Sequence, residues 1–162
     1  MNEGGAEYDL LFTIEFPAVM QTVYLILHEL DRAEDITQEA FIQLFRHWSK
    51  VSRYDRPGAW VRRVAIRLAM ESLRRERLRA VLERQVKPPR VLGPTDVDIL
   101  PAIRELPGMQ RAATVLFYFE DRPLPEIADI LGCAESTVRV HLHRARKHLA
   151  DVLEEEVNED VS

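Results

Sequence analysis

Apolar residues recur along most of this chain at spacings of three and four, and strict alternation is nowhere sustained, so the pattern predicts helices rather than strands. The first helix runs from about Tyr8 to Glu29, with Phe16, Val19, Met20, Val23, Tyr24 and Leu27 on its buried stripe. Asp31 and Glu34 are spaced as in a capping box with Asp as the cap, and they open a second helix that ends near Trp48. The loop VSRYDRPG follows, and Pro57 and Gly58 introduce a third helix to about Arg79. Proline and glycine then gather in VKPPRVLGP, which cannot continue a helix and reads as a linker. Beyond it, Thr95 with Asp98 caps a short helix to Leu106, and Pro107 starts another to about Glu120. Asp121 to Pro123 turns the chain into a last pair of helices. The expected fold class is all-α: two small helical domains at 6–80 and 95–152, a Pro-rich linker at 81–94, and an acidic tail at 153–162 that frays beyond Asp151.

The last pair carries the strongest local signal. LPEIADILGCAESTVRVHLHRARKHL, Leu124 to Leu149, reads as a helix-turn-helix. Ala128 lets two helices approach closely, Gly132 can take positive φ at the turn, and Val138 plugs the gap between them. On the second helix Val138, Leu142, Ala145 and Leu149 form a buried seam, while Ser136, Arg139, Val140, His143, Arg144 and Lys147 fall opposite. That basic side suits a major groove. Arg139 and Val140, near the helix start, are candidates for reading base edges; Arg144 and Lys147 suit base or phosphate. Ser136 and Thr137 can cap the helix as well as contact phosphate. An ordinary helical hairpin is the competing reading of this segment alone.

Composition changes the picture in two ways. The chain has 162 residues, 46% of them apolar, enough for one domain or two small ones. Cys133 is the sole cysteine, which excludes a disulfide framework and favours a reducing cytoplasm. No basic-apolar leader and no apolar run of membrane length is read, so a cytoplasmic protein without membrane insertion is expected. The net charge of −5 at first argues against nucleic acid. Its distribution argues the other way: arginine concentrates in Arg53 to Arg84 and Arg139 to Arg146, acid in Glu29 to Glu39 and in the tail DVLEEEVNED. At a Debye length of about 8–10 Å the local field outweighs the sum.

Two further helix faces stand out. On the second helix Ile36, Ala40, Phe41, Leu44, Phe45 and Trp48 share one half. Asp35, Gln38, Glu39, Ile42 and Arg46 share the other, an apolar centre ringed by polar groups, as in a protein–protein contact or an ordinary solvated face. On the third helix Val61, Val64, Ala65 and Leu68 face a core; Arg63, Arg67 and Arg74 form a ridge with Trp60 at its start, and Arg62 points to another side. Guanidinium groups pair with phosphates and an aromatic ring stacks on an unpaired base. The competing reading makes Trp60 core and the arginines solubilising. His141, His143 and His148 with Cys133 invite a zinc site, but His141 and His143 are two apart on a helix and diverge, so no metal is expected. Glu34, Asp35 and Glu39 have no nucleophile, phosphate loop or convergent histidine beside them, so neither an enzyme nor a cofactor is expected.

These residues together resemble a known family. RAEDITQEAFIQLFRHW resembles the region 2.2 helix of bacterial RNA polymerase sigma factors of the extracytoplasmic-function (ECF) group of the sigma-70 family. RPGAWVRRVAIRLAMESLRR is similar to their regions 2.3 and 2.4, and LPAIRELPGMQRAATVLFYFEDRPLPEIADILGCAESTVRVHLHRARKHL to region 4. The resemblance extends from about Tyr8 to Ala150 in the family's order. It implies that Asp35, Gln38, Glu39, Ile42 and Arg46 bind the β′ clamp helices of core RNA polymerase. Arg56, Trp60, Arg62, Arg63, Arg67 and Arg74 then take the −10 element, where a base is flipped from the melted strand at a cost of a few kcal/mol. Ser136, Thr137, Arg139, Val140, His143, Arg144 and Lys147 take the −35 element. Promoter DNA, the polymerase β flap and, as is common in the family, an anti-sigma factor are the further partners it implies. A stand-alone helix-turn-helix regulator and a sigma-like polymerase-binding module without promoter recognition are the alternatives.

Overall fold

The computed structural model describes residues 3–82 and 99–160 and divides the chain into two compact units, 1–91 and 92–162. Every regular element among the described residues is helical. The prolines of VKPPRVLGP and the Thr95–Asp98 cap lie outside the described residues.

The first unit is built from α1 (Glu3–Leu27), α2 (Leu30–Arg46), the short α3 (Trp48–Val51) and α4 (Pro57–Leu82). α1, α2 and α4 pack pairwise against one another around Val19, Val23, Ile26, Phe41, Leu44, Val61, Ile66 and Met70, all at most 2% exposed. Phe41 is the centre of an aromatic cluster, with the Phe12 and Phe16 rings 5.0 and 5.3 Å away. Its carbonyl accepts a 2.9 Å hydrogen bond from the Tyr8 hydroxyl. Burial, then the Asp9 carboxylate, pushes that Tyr8 hydroxyl's pKa up. The start of α1 is pinned a second time, by the Trp48 indole donating to the Gly4 carbonyl at 2.7 Å.

Several local expectations are corrected. α2 starts at Leu30, one residue before the proposed cap, and its N-cap Glu29 makes no side-chain cap bond; Glu29 pairs instead with Arg32 at 3.3 Å. The reason is the connection from α1. His28 takes φ 52°, closing α1 with a left-handed residue and reversing the chain so tightly that Asp31 is already helical. Trp48 opens α3 rather than ending α2. Phe45 lies not in the buried half of α2 but 66% exposed, touching Tyr8 edge-on at 5.3 Å. α1 is also long and apolar enough to cross a membrane by length and composition, against the sequence expectation. Its C-terminal half, from Val19 to Leu27, is buried against α2 and α4, Leu10 and Ile14 stay exposed, and Glu15 forms an ion pair with Arg62.

The second unit comprises α5 (Ile99–Glu105), α6 (Gly108–Thr114), α7 (Leu124–Leu131) and α8 (Glu135–Asp160). α6 runs into a wider π turn, Val115–Phe119, closed by Glu120 N–H donating to Val115 O at 3.1 Å. Pro101 sits in the first turn of α5, where its missing N–H has no helical partner to lose. α5, α6 and α7 all pack on α8, and Ile103, Leu116, Ile127, Leu131, Val138, Leu142 and Ala145 fill the space between them. α8 continues to Asp160 instead of fraying after Asp151, because VLEEEVNED holds neither proline nor glycine and is rich in good helix formers.

The turn between α7 and α8 follows the sequence reading closely. Gly132 has φ 68° and ψ 38°. Gly132 N–H donates to Asp129 O at 3.3 Å and Cys133 N–H to Ala128 O at 3.0 Å, a Schellman closure of α7. Gly132→Ala is expected to lower the second unit's stability by about 1 kcal/mol, read as loss of hydrogen-exchange protection across α7 and α8. Unchanged protection would show that the left-handed residue costs nothing there.

Candidate protein and nucleic-acid interfaces

The five stripe residues of α2, Asp35, Gln38, Glu39, Ile42 and Arg46, are all exposed, and Ala40, Phe41 and Leu44 on the opposite side are buried. Ile42 is 45% exposed. An exposed branched apolar side chain ringed by polar residues is what the centre of a protein–protein contact looks like before its partner arrives. Gln38 reaches Glu34 at 3.4 Å and Gln43 reaches Glu39 at 3.3 Å, i,i+4 contacts that keep the polar rim ordered along the helix. Phe45, which the helical pattern assigned to the core, borders this stripe and enlarges its apolar centre. No sequence signal distinguished it from Phe41: both are aromatic and one turn apart.

α4 presents the second surface. Pro57 starts it with a pre-set φ, and Arg56 O accepts from Ala59 N–H and Trp60 N–H at 3.2 and 3.4 Å. Trp60 is half-buried, its ring 5.8 Å from that of His47, whose Nδ1 lies 2.8 Å from Gln43 O. Trp60 is thus neither core nor fully free: one edge rests on His47. Arg56, Arg67 and Arg74 are exposed and Arg63 is half-buried. Arg62 is half-buried as well. Its Nε donates to Glu15 at 2.7 Å, which turns it toward α1.

The third surface lies on α8. Ser136, Thr137, Arg139, Val140, His143, Arg144 and Lys147 are all exposed, whereas Val138, Leu142 and Ala145 are at most 2% exposed on the other side. Ser136 and Thr137 do not cap the helix. It begins at Glu135, and Ala134 O takes the first bonds, from Thr137 N–H at 3.0 Å and Val138 N–H at 3.1 Å. Their hydroxyls sit in the first turn, where backbone N–H groups also point outward. Arg146, counted in the basic block, is diverted: its Nε donates to the Tyr118 hydroxyl at 2.6 Å and its guanidinium lies 5.7 and 5.6 Å from the Phe117 and Tyr118 rings. Ahead of α7, Arg122 pairs with Glu120 and with Glu126, tying the π turn to the first helix of the motif. His141 is drawn inward, and burial, then Arg144, holds its pKa below the usual histidine value. Burial likewise raises the Cys133 thiol's pKa. Among the described residues no three of His, Cys, Asp and Glu group as metal ligands would.

Comparison with known proteins divides the chain in the same way. The Sigma-70 region 2 family model matches residues 11–79, which hold the first two surfaces, and Sigma-70, region 4 matches 97–149, which hold the third. The class is that of sigma-70 subunits, the non-catalytic factors that direct RNA polymerase to initiate transcription.

The relatives narrow it. The chain is 30% identical over 121 residues to RNA polymerase sigma factor SigV of Bacillus subtilis, 72% of this chain and 73% of that protein. It is 33% identical over 150 residues to ECF RNA polymerase sigma factor SigE of Mycolicibacterium smegmatis, 83% of this chain but only 57% of SigE's length. ECF sigma factor SigW of Bacillus subtilis is 27% identical, with 81% and 80% covered. The solved sigma factor RpoE of Bartonella quintana, in complex with the anti-sigma factor NepR, shares the fold with a TM-score of 0.72 at 24% identity, over 91% of this chain and 97% of that one. This chain belongs to the ECF RNA polymerase sigma factors.

Proposed function

We propose that the three surfaces divide the work of initiation among them. The α2 stripe of Asp35, Gln38, Glu39, Ile42 and Arg46 grips the clamp helices of the polymerase β′ subunit. Arg56, Trp60, Arg63, Arg67 and Arg74 hold the −10 element, the arginines on phosphate and Trp60 on an unpaired base. Ser136, Thr137, Arg139, Val140, His143, Arg144 and Lys147 enter the major groove of the −35 element. The second unit also meets the polymerase β flap. The expected linker at 81–94, whose first two residues belong to the end of α4, joins the domains at 6–80 and 95–152. The chain works in the cytoplasm, performs no catalysis of its own, and takes an anti-sigma factor as its regulator, as RpoE of Bartonella quintana takes NepR.

The single observation that carries this reading is the split of α8: one side buried to 2% or less, the opposite side exposed and basic, directly after a left-handed glycine turn. A net charge of −5 fits weak binding of duplex DNA by the chain alone, and so favours action within polymerase over a stand-alone regulator.

The test mixes the protein with purified core polymerase and a library of promoter fragments and sequences the transcripts. Defined starts that need both components support the reading. A shift of duplex DNA without polymerase supports a stand-alone regulator; polymerase binding with no start supports a module without promoter recognition. Arg139→Ala is expected to relax sequence preference at one upstream position by about 1–3 kcal/mol, measured by competing promoter variants. A uniform loss across all upstream sequences would reassign Arg139 to phosphate.

A further inference from the structure

We infer that Glu15 of α1 is a positioning residue for capture of the melted −10 strand: acting through Arg62, it sets the first turns of α4 and the Trp60 ring that they present. The inference rests on the assignment of Trp60 to that strand.

Glu15 Oε2 accepts from Arg62 Nε at 2.7 Å, and the two side chains are only 18% and 32% exposed. One turn before Arg62, Gly58 closes over the same carboxylate. A Cβ at Gly58 would stand 2.8 Å from Glu15 Oε1 and 2.9 Å from Cδ, closer than real contacts allow. The start of α4 is therefore seated on Glu15 from two successive turns, and glycine at 58 is what permits the approach. Trp60 lies between these two residues in sequence and about 160–200° round the helix from both. A rotation of α4 about its axis at this point swings the indole directly.

Burial of Val61 and Ala65 sets the coarse rotation of α4. Its finer setting is held on the Trp60 side by the His47 ring at 5.8 Å, an exposed neighbour. On the far side there is the Glu15–Arg62 pair. The core is already anchored by Val61 and Ala65, both 0% exposed, so the pair adds little to folding. Half-buried ion pairs contribute modest net stability but fix a register well. Arg62 is a strut here, and its companions Arg56, Arg63, Arg67 and Arg74 supply the phosphate contacts.

The experiment uses holoenzyme assembled from core polymerase and the full chain, on a promoter selected with the wild-type protein in the transcription assay above. Two templates are compared, one fully duplex and one with the −10 segment unpaired by mismatch, and strand opening is followed by permanganate reactivity of thymines. Glu15→Gln keeps the shape and removes the charge. It is expected to reduce opening of the duplex about tenfold, as small misplacements of a reacting contact do, and to change the mismatched template less than about twofold. Gly58→Ala, which displaces the same carboxylate from the opposite side, is expected to reproduce this pattern. Adding Glu15→Gln to Trp60→Ala is expected to cause no further loss. Equal loss on both templates, no loss on either, or additive losses in the double variant would each overturn the proposal. Normal duplex opening by Trp60→Ala alone would instead sink the assignment of Trp60 and take this inference with it, whatever Glu15→Gln does.

Discussion

Replacing Phe41 by alanine is expected to destabilise the first unit by about 3–5 kcal/mol, the range for emptying a buried phenyl site. Phe41 is 1% exposed and packs against the Phe12 and Phe16 rings. Its loss leaves a cavity whose collapse is resisted, because the start of α1 is held by the Tyr8 hydroxyl on Phe41 O and by the Trp48 indole on Gly4 O. Domains of this size have total stabilities of about 5–15 kcal/mol, so the variant sits near the edge of unfolding. Hydrogen exchange of the full chain separates the units: protection should fall across α1, α2 and α4 and stay unchanged across α7 and α8. The expectation fails if protection in α1 and α2 falls by less than about 1 kcal/mol, which would mean that the neighbouring rings close the gap.

The adjacent residue gives the opposite result. Ile42→Arg is expected to leave stability within about 0.5 kcal/mol, as exposed substitutions do. It should weaken association with core polymerase by at least about 2 kcal/mol, roughly thirtyfold, if Ile42 is the apolar centre of the α2 contact. Titration of labelled chain with core polymerase measures it, with Asp35→Arg on the rim as a milder companion whose effect lies mainly in the association rate. Polymerase affinity unchanged by Ile42→Arg would move the contact off this face. One peptide bond thus separates a residue that supports the fold from one that supports the partner, because successive helix positions differ by about 100°.

That helical phase was legible in the sequence, and with it most of the fold. The alternation of Ala40, Phe41 and Leu44 with Asp35, Gln38, Glu39 and Ile42 fixed the two sides of α2, and Val138, Leu142 and Ala145 fixed those of α8. Gly132 was readable because its left-handed φ is chemically cheap only for glycine. His28 takes a similar φ of 52° and was not readable: nothing in a histidine announces a reversal, and the tight connection it makes displaced the start of α2. Phe45 was missed for a different reason. Helical spacing put it in the buried half of α2, yet it is 66% exposed with the Tyr8 ring edge-on at 5.3 Å, and which neighbours cover a helix border is decided by tertiary packing. Arg62 and Arg146 show the same limit. An arginine on a basic helix face looks available until its long-range partner is known, Glu15 for Arg62 and Tyr118 for Arg146. Charge runs report where cations are abundant, and tertiary contacts decide which of them are already spoken for.

The segregation of charge has a consequence for how the chain behaves among chromosomes. Its arginines concentrate on α4 and α8, while exposed carboxylates such as those of Glu34, Asp35 and Glu39 on α2 and Asp151, Glu154 and Glu155 on α8 help leave the whole at −5. Random duplex meets few of those cations at once and releases few counterions into solution on contact. A bacterial genome offers about a million or more indiscriminate sites that would otherwise soak up a scarce regulator. On these terms the isolated chain is expected to hold random duplex weakly, which leaves the search for a start site to the assembled enzyme.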